Sequence, residues 1–166
     1  MKSLAFVTIV LAAACGPGVK GGPTMNNKIG AQPYQAPTSD SVVSQDILAR
    51  EPVANTAQVK HILISWADLN EAFQGQQDER ATKRKMADAE KEVQALVTQL
   101  KAGGNFDTLM KEHSEDRGSA QTGRPFTVTP DAQLVIEFRQ LSLRLNVGEI
   151  GVCQSDFGFH IIKRLE

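Results

Sequence analysis

Most of the features that mark a specialised chain are missing from this sequence or scarce in it. Charge is balanced, with 18 Lys and Arg against 19 Asp and Glu and a formal net charge of −1. No global basic field therefore draws the chain to nucleic acid. No apolar run approaches the ~20 residues that a spanning helix needs, and mean hydropathy is −0.25. Two cysteines in 166 residues cannot build the disulfide framework of a small secreted scaffold. The three histidines have no H-E-x-x-H spacing and give no metal signal. Aromatic residues are 5% and apolar residues 41%, enough for one modest core and too little for two.

What is present begins at the N-terminus. Residues 1–15 read MKSLAFVTIVLAAAC. Lys2 supplies a positive start, Leu4 to Ala14 form a short apolar stretch, and small residues lead to Cys15. Such a segment is an export signal rather than a membrane span. Its end resembles a lipobox, with Ala12 where Leu is usual, which implies lipidation at Cys15. Several acyl chains, at about 0.8 kcal/mol per buried methylene, would then hold the protein on a bilayer. Gly16 after the cysteine favours the outer membrane, on its periplasmic side. Ordinary secretory cleavage near Ala14 is the alternative.

Residues 16–57 read as a flexible linker. From Gly16 to Thr56 lie five of the seven prolines and five of the thirteen glycines, with one aromatic, Tyr34. That composition cannot bury enough apolar surface to offset chain entropy. A short helix over 41–50 fits the spacing of Val42, Val43, Ile47 and Leu48, but it ends before Pro52 and is expected to add little. The folded domain is expected to start near Gln58 and run to Glu166. Its 14 basic and 16 acidic residues give a charge of −2, so the neutral total hides no basic patch.

Within that domain VKHILISW, residues 59–66, is a strand with apolar residues on both faces and so a central one. Residues 68–81 read as a long polar loop, of the kind that is usually functional or mobile. A helix is expected over 82–102, where Met86, Ala89, Val93, Leu96, Val97 and Leu100 recur at spacings of three and four before Gly103. Asn105 can cap a short second helix, and a third fits 131–145. Two strands, 150–154 and 159–165, finish the chain around a tight turn at 156–158. Helices segregate from an antiparallel sheet of about four strands, and the class is α+β.

Five strings carry a resemblance: VKHILI, then FDTLMKEHSEDRGSA, EF, GEI and FGFHIIKRLE. In this order and spacing they are similar to the parvulin family of peptidyl-prolyl cis/trans isomerases, over about residues 58–166. The resemblance implies a small antiparallel sheet surrounded by three to four helices. It implies a catalytic group of His61, Asp116, Ser155 and His160. Phe126, Leu134 and Phe138, with Phe157 beside His160, would cup the substrate proline. One segment departs from the family. Its usual G-G-D-L-G run is Gly123-Arg124-Pro125-Phe126-Thr127 here, which loses two glycines and the aspartate.

The activity implied needs no cofactor and no metal. The X-Pro amide isomerises slowly because resonance sets a barrier of about 18–20 kcal/mol, and a catalyst has only to favour the twisted state. An apolar cup strips water from the planar amide while polar groups orient it. Unfolded or nascent exported polypeptides with X-Pro bonds are the expected substrates. The 68–81 loop holds Asp68, Glu71, Asp78 and Glu79 against Arg80 alone, so no phosphopeptide preference is expected. A holdase-type chaperone that keeps the pocket without turnover is the alternative. His113, near a helix C-terminus, reads as structural, and Cys153 as a small buried hydrophobe.

Overall fold

A computed structural model describes residues 41–166, and the expected signal segment, Cys15 and the linker up to residue 40 lie outside the described residues. Four strands form one antiparallel sheet in the order β2-β1-β4-β3. They are β1 (Ala57–Ile64), β2 (Phe126–Val128), β3 (Ile150–Ser155) and β4 (Gly158–Arg164). The first and last strands of the described residues, β1 and β4, therefore lie at the centre, covered on both faces. Period-two alternation divides β1 between two cores. Ile62 and Ile64 pack with Val152, Phe159 and Ile161 on one face, while Val59 joins Val128, Cys153 and Ile162 on the other.

The first face is covered by α3 (Met86–Lys101) and α4 (Phe106–His113). Ala89, Val93, Leu96 and Leu100 form the buried stripe of α3, as their spacing requires. The helix stops at Gly103, whose φ of +93° lets its N–H reach the Leu100 carbonyl. Asn105 caps α4 by accepting from the Thr108 N–H at 3.0 Å. The opposite face is covered by α6 (Ile136–Arg144), through Phe138 and Leu141.

Several boundaries differ from the expected ones. The helix expected from residue 82 begins at Met86, because the Arg84 carbonyl accepts from the Ala67 N–H and breaks the helical run. Before it, the expected loop contains a 3-10 segment at Ala67–Phe73 and a one-turn helix, α2 (Glu79–Thr82), capped by Asp78. The third helix begins at Ile136 rather than residue 131. Thr129 and Asp131 form turns there instead, with the Ala132 N–H donating to the Thr129 carbonyl. A further short helix, α5 (Arg117–Thr122), lies after Asp116.

The largest difference lies before Gln58. Residues expected to end the linker are packed on the domain through a short helix, α1 (Gln45–Leu48). Ile47 is buried against the α6 cluster. The Ser44 N–H donates to the Val152 carbonyl at 2.9 Å and its Oγ accepts from the Val152 N–H at 3.0 Å, which covers the free edge of β3. Arg50 pairs with Glu149 at 2.9 Å, and its carbonyl accepts from Arg144 Nε. This segment belongs to the domain.

Candidate active site

The central strands position two histidines. His61 on β1 lies opposite Ile162 and His160 on β4 lies opposite Leu63, so the two are diagonal neighbours on one face. Their rings stack at 5.4 Å with an interplanar angle of 16°. His61 Nδ1 and His160 Nδ1 are 3.2 Å apart. On the outer side, His61 Nε2 is 2.9 Å from Asp116 Oδ2, and His160 Nε2 is 2.8 Å from Ser155 Oγ. The four residues expected to form a catalytic group are therefore brought together in one line.

One assignment of the hydrogen bonds gives every group in that line a partner. Asp116 as a carboxylate accepts from His61 Nε2–H, leaving His61 Nδ1 bare to accept from His160 Nδ1–H. His160 Nε2 is then bare and accepts from the Ser155 hydroxyl, whose oxygen accepts in turn from the Phe157 N–H at 3.1 Å. Each imidazole donates once and accepts once in this assignment, and every ring nitrogen of the line has a partner. The hydrogen bond from His61 holds the Asp116 carboxyl well below the usual carboxylate range, against the opposing effect of burial. Burial pushes His160 down to about 3, with neighbouring His61 adding to the shift.

An aromatic wall surrounds the pair. Phe126 and Phe138 meet the His61 ring edge-on at 5.3 and 5.2 Å, and Phe138 also meets His160 at 5.5 Å. Phe126, Leu134, Phe138 and Phe157, the expected proline cup, all line one cavity of about 540 Å³ with both histidines and Asp116 beneath. The departure at residues 123–127 does not displace this wall. Gly123 takes a left-handed turn at φ +63°, and Phe126 then enters β2 opposite Val59.

Three contributors were not anticipated. Ser119 Oγ is 3.2 Å from His61 Nε2, and the Ser119 N–H donates to Asp116 Oδ1, so Asp116 caps α5 while it orients His61. The only trace in the sequence was the serine of the G-S-A string. Phe73, from the loop, packs edge-on against Phe157 at 5.4 Å and closes one side of the cavity. Glu115 is buried, with Oε1 accepting from Arg84 Nη1 and Oε2 from the Ser65 N–H, both at 2.6 Å. Its own N–H donates to the Leu63 carbonyl, so the segment bearing Asp116 is fastened to β1. Burial raises the Glu115 carboxyl, partly offset by the Ser65 and Arg84 bonds.

Cys153 and His113 take no part in this line. The Cys153 thiol is free and buried, and burial pushes it up. His113 ends α4 with Nδ1 3.4 Å from Glu92. Among the described residues no group of three or more His, Cys, Asp or Glu is placed to hold a metal ion. None of their helices is long and apolar enough to cross a membrane.

Residues 45–166 match the family model described as PPIC-type PPIase domain. Among curated relatives, the foldase protein PrsA of Geobacillus kaustophilus is 27% identical over 122 residues, 73% of this chain and 43% of the relative. A parvulin-like PPIase of Rickettsia felis is 39% identical over 82 residues, 47% of this chain and 29% of the relative. The chain thus spans less than half the length of these two relatives. The peptidyl-prolyl isomerase ESS1 from Candida albicans shares the fold with a TM-score of 0.56 at 18% identity, over 68% of this chain and 63% of that one.

Proposed function

The chain belongs to the family of PPIC-type peptidyl-prolyl isomerase domains, and from that premise we propose that it catalyses cis/trans isomerisation of X-Pro bonds in unfolded polypeptides. The observation that carries the reading is the hydrogen-bonded line Ser155–His160–His61–Asp116 beneath an aromatic cup. A proline ring seated against Phe126, Leu134 and Phe138 leaves its preceding amide at the level of the imidazoles. There the planar, polar ground state loses hydration, whereas the twisted state has less charge separation to lose.

The polar line acts by orientation in this reading. Buried His160 is held neutral, and imidazole rings fixed by partners on both sides present dipoles that need no reorganisation during rotation. No bond to the substrate is made or broken, and no proton has to leave the line. His61, Asp116, Ser155 and His160 are the catalytic group; Phe126, Leu134, Phe138 and Phe157 bind the proline. Phe126 stays on the wall despite the glycines lost at 123–127, so the cup that turnover needs is complete.

The N-terminal sequence completes the proposal. Residues 1–15 direct export, Cys15 carries the lipid, and the chain from Gly16 to about residue 40 tethers the domain to the periplasmic face of a membrane, the outer one where Gly16 decides. Exported polypeptides with accessible X-Pro bonds are then the substrates. Two assays on the purified protein separate the readings. Rate enhancement on an X-Pro tetrapeptide supports the isomerase, whereas suppression of aggregation with no rate enhancement supports the holdase. Labelling with a radioactive fatty acid, lost in Cys15→Ser, tests the anchor.

A further inference from the structure

The charges lining the cavity are unevenly occupied. Among the described residues, three carboxylates and one guanidinium face it: Asp78, Glu115, Asp116 and Arg117. Each carboxylate is already engaged inside the protein. Asp116 accepts from His61 and Ser119, and Glu115 accepts from Arg84 and Ser65. Asp78 is 3% exposed and accepts from Arg80 Nε at 3.1 Å and Arg117 Nε at 3.0 Å.

Arg117 is different. Its side chain is 69% exposed, and among the described residues Nε alone of its three guanidinium nitrogens has a hydrogen-bond partner. The buried Asp78 therefore fixes the guanidinium by one nitrogen and leaves Nη1 and Nη2 open at the rim. Those two nitrogens form the fork that matches a carboxylate. Arg117 also borders a neighbouring depression of about 410 Å³ that shares Asp78 with the cavity. A peptide that runs from the cavity into that depression would pass Arg117.

We propose that Arg117, pinned by Asp78, selects substrates that carry a carboxylate side chain next to the isomerised proline. The inference rests on the isomerase reading and adds a substrate class to it. A phosphate dianion asks for a second cation, and Arg80 does not supply one. Its Nε and Nη2 bond Asp78, and its Nη1 bonds the Glu112 carbonyl. Lys111 borders the neighbouring depression but not the cavity. A carboxylate, needing one fork, is the better match.

The test uses the full chain and X-Pro tetrapeptides with Glu, Ala, Lys or phosphoserine before the proline, and a second set with these residues after it. An exposed but preorganised pair is worth a factor of about five. The expected result is a kcat/KM about fivefold higher for Glu than for Ala in one of the two sets, shrinking as salt is raised. In Arg117→Gln the ratio of the two constants falls to about one, whatever the absolute rates, and in Arg117→Glu the Lys peptide becomes the better substrate. Equal constants for Glu, Ala and Lys peptides in the native chain overturn the inference while leaving the isomerase reading intact. A larger gain from phosphoserine than from Glu overturns the choice of carboxylate. Absence of turnover on every peptide overturns the isomerase reading, and peptide affinities from fluorescence titration then still decide the charge preference.

Discussion

Mild acid should destabilise this domain through a single buried side chain. His160 has an ordinary value of 6.5, and burial among Phe138, His61 and the sheet brings it to about 3 in the folded protein. A histidine whose folded value is depressed takes up its proton more readily when unfolded. Stability is therefore fully present above the unfolded value and falls as pH drops from about 6.5 towards about 3. At pH 5 the unfolded chain is about 1.5 units below its midpoint, and at 1.36 kcal/mol per unit this removes about 2 kcal/mol. Against a total of about 5–15 kcal/mol for a domain, that loss is easily measured. Asp116 contributes in the same direction only at lower pH, because its folded value is depressed below the ordinary 3.8. Glu115, raised above 4.5 by burial, opposes the trend. The comparison that isolates His160 is urea unfolding at pH 7 and pH 5 for the native chain and for His160→Gln. The native protein should lose about 2 kcal/mol more than the variant between the two pH values. Equal losses in both would refute the argument that a neutral, desolvated His160 is what acid attacks.

Other expectations concern packing. Ile47→Ala should cost about 2–4 kcal/mol in urea unfolding, because the side chain is buried against α6; a loss below about 0.5 kcal/mol would return residues 41–57 to the linker. Arg84→Met leaves Glu115, whose side chain is 1% exposed, without its cation, and should cost about 3–5 kcal/mol. The same variant should lower kcat/KM, since the fastening of Asp116 to β1 is loosened. The Cys153 thiol, fully buried and pushed up by burial, should resist thiol reagents in a Cys15→Ala background until the domain is unfolded; labelling of the native protein at the rate of a free thiol would contradict that burial.

The sheet and the first long helix were legible in the sequence because each has a local period. Apolar residues on both faces of 59–66 mark a central strand, and the stripe from Ala89 to Leu100 says which side of that helix faces inward, before any partner is known. The proline cup and the line of four polar residues came through the resemblance, since no local pattern joins His61 to His160 or to Asp116. Two short helices were not legible. The helices at 79–82 and 117–122 are held by single caps, from Asp78 and Asp116, and have no apolar stripe to announce them. The packing of residues 41–57 on the domain was not legible for a related reason. Their composition resembles a linker, and what orders them is distant: the β3 edge, α6 and Glu149. Glu115 and Arg117 were invisible because the partners that define them, Arg84 and Asp78, lie more than thirty residues away.

The most direct test of the central claim, that the line of hydrogen bonds beneath the aromatic cup drives X-Pro rotation, is the kcat/KM of His160→Ala on an X-Pro tetrapeptide. Circular dichroism and the urea midpoint would confirm that the variant remains folded under the assay conditions. Removing one preorganised group from such a line should lower kcat/KM by about tenfold or more, with Ser155 and His61 left unlinked. A folded His160→Ala variant with the full activity of the native chain would contradict the account.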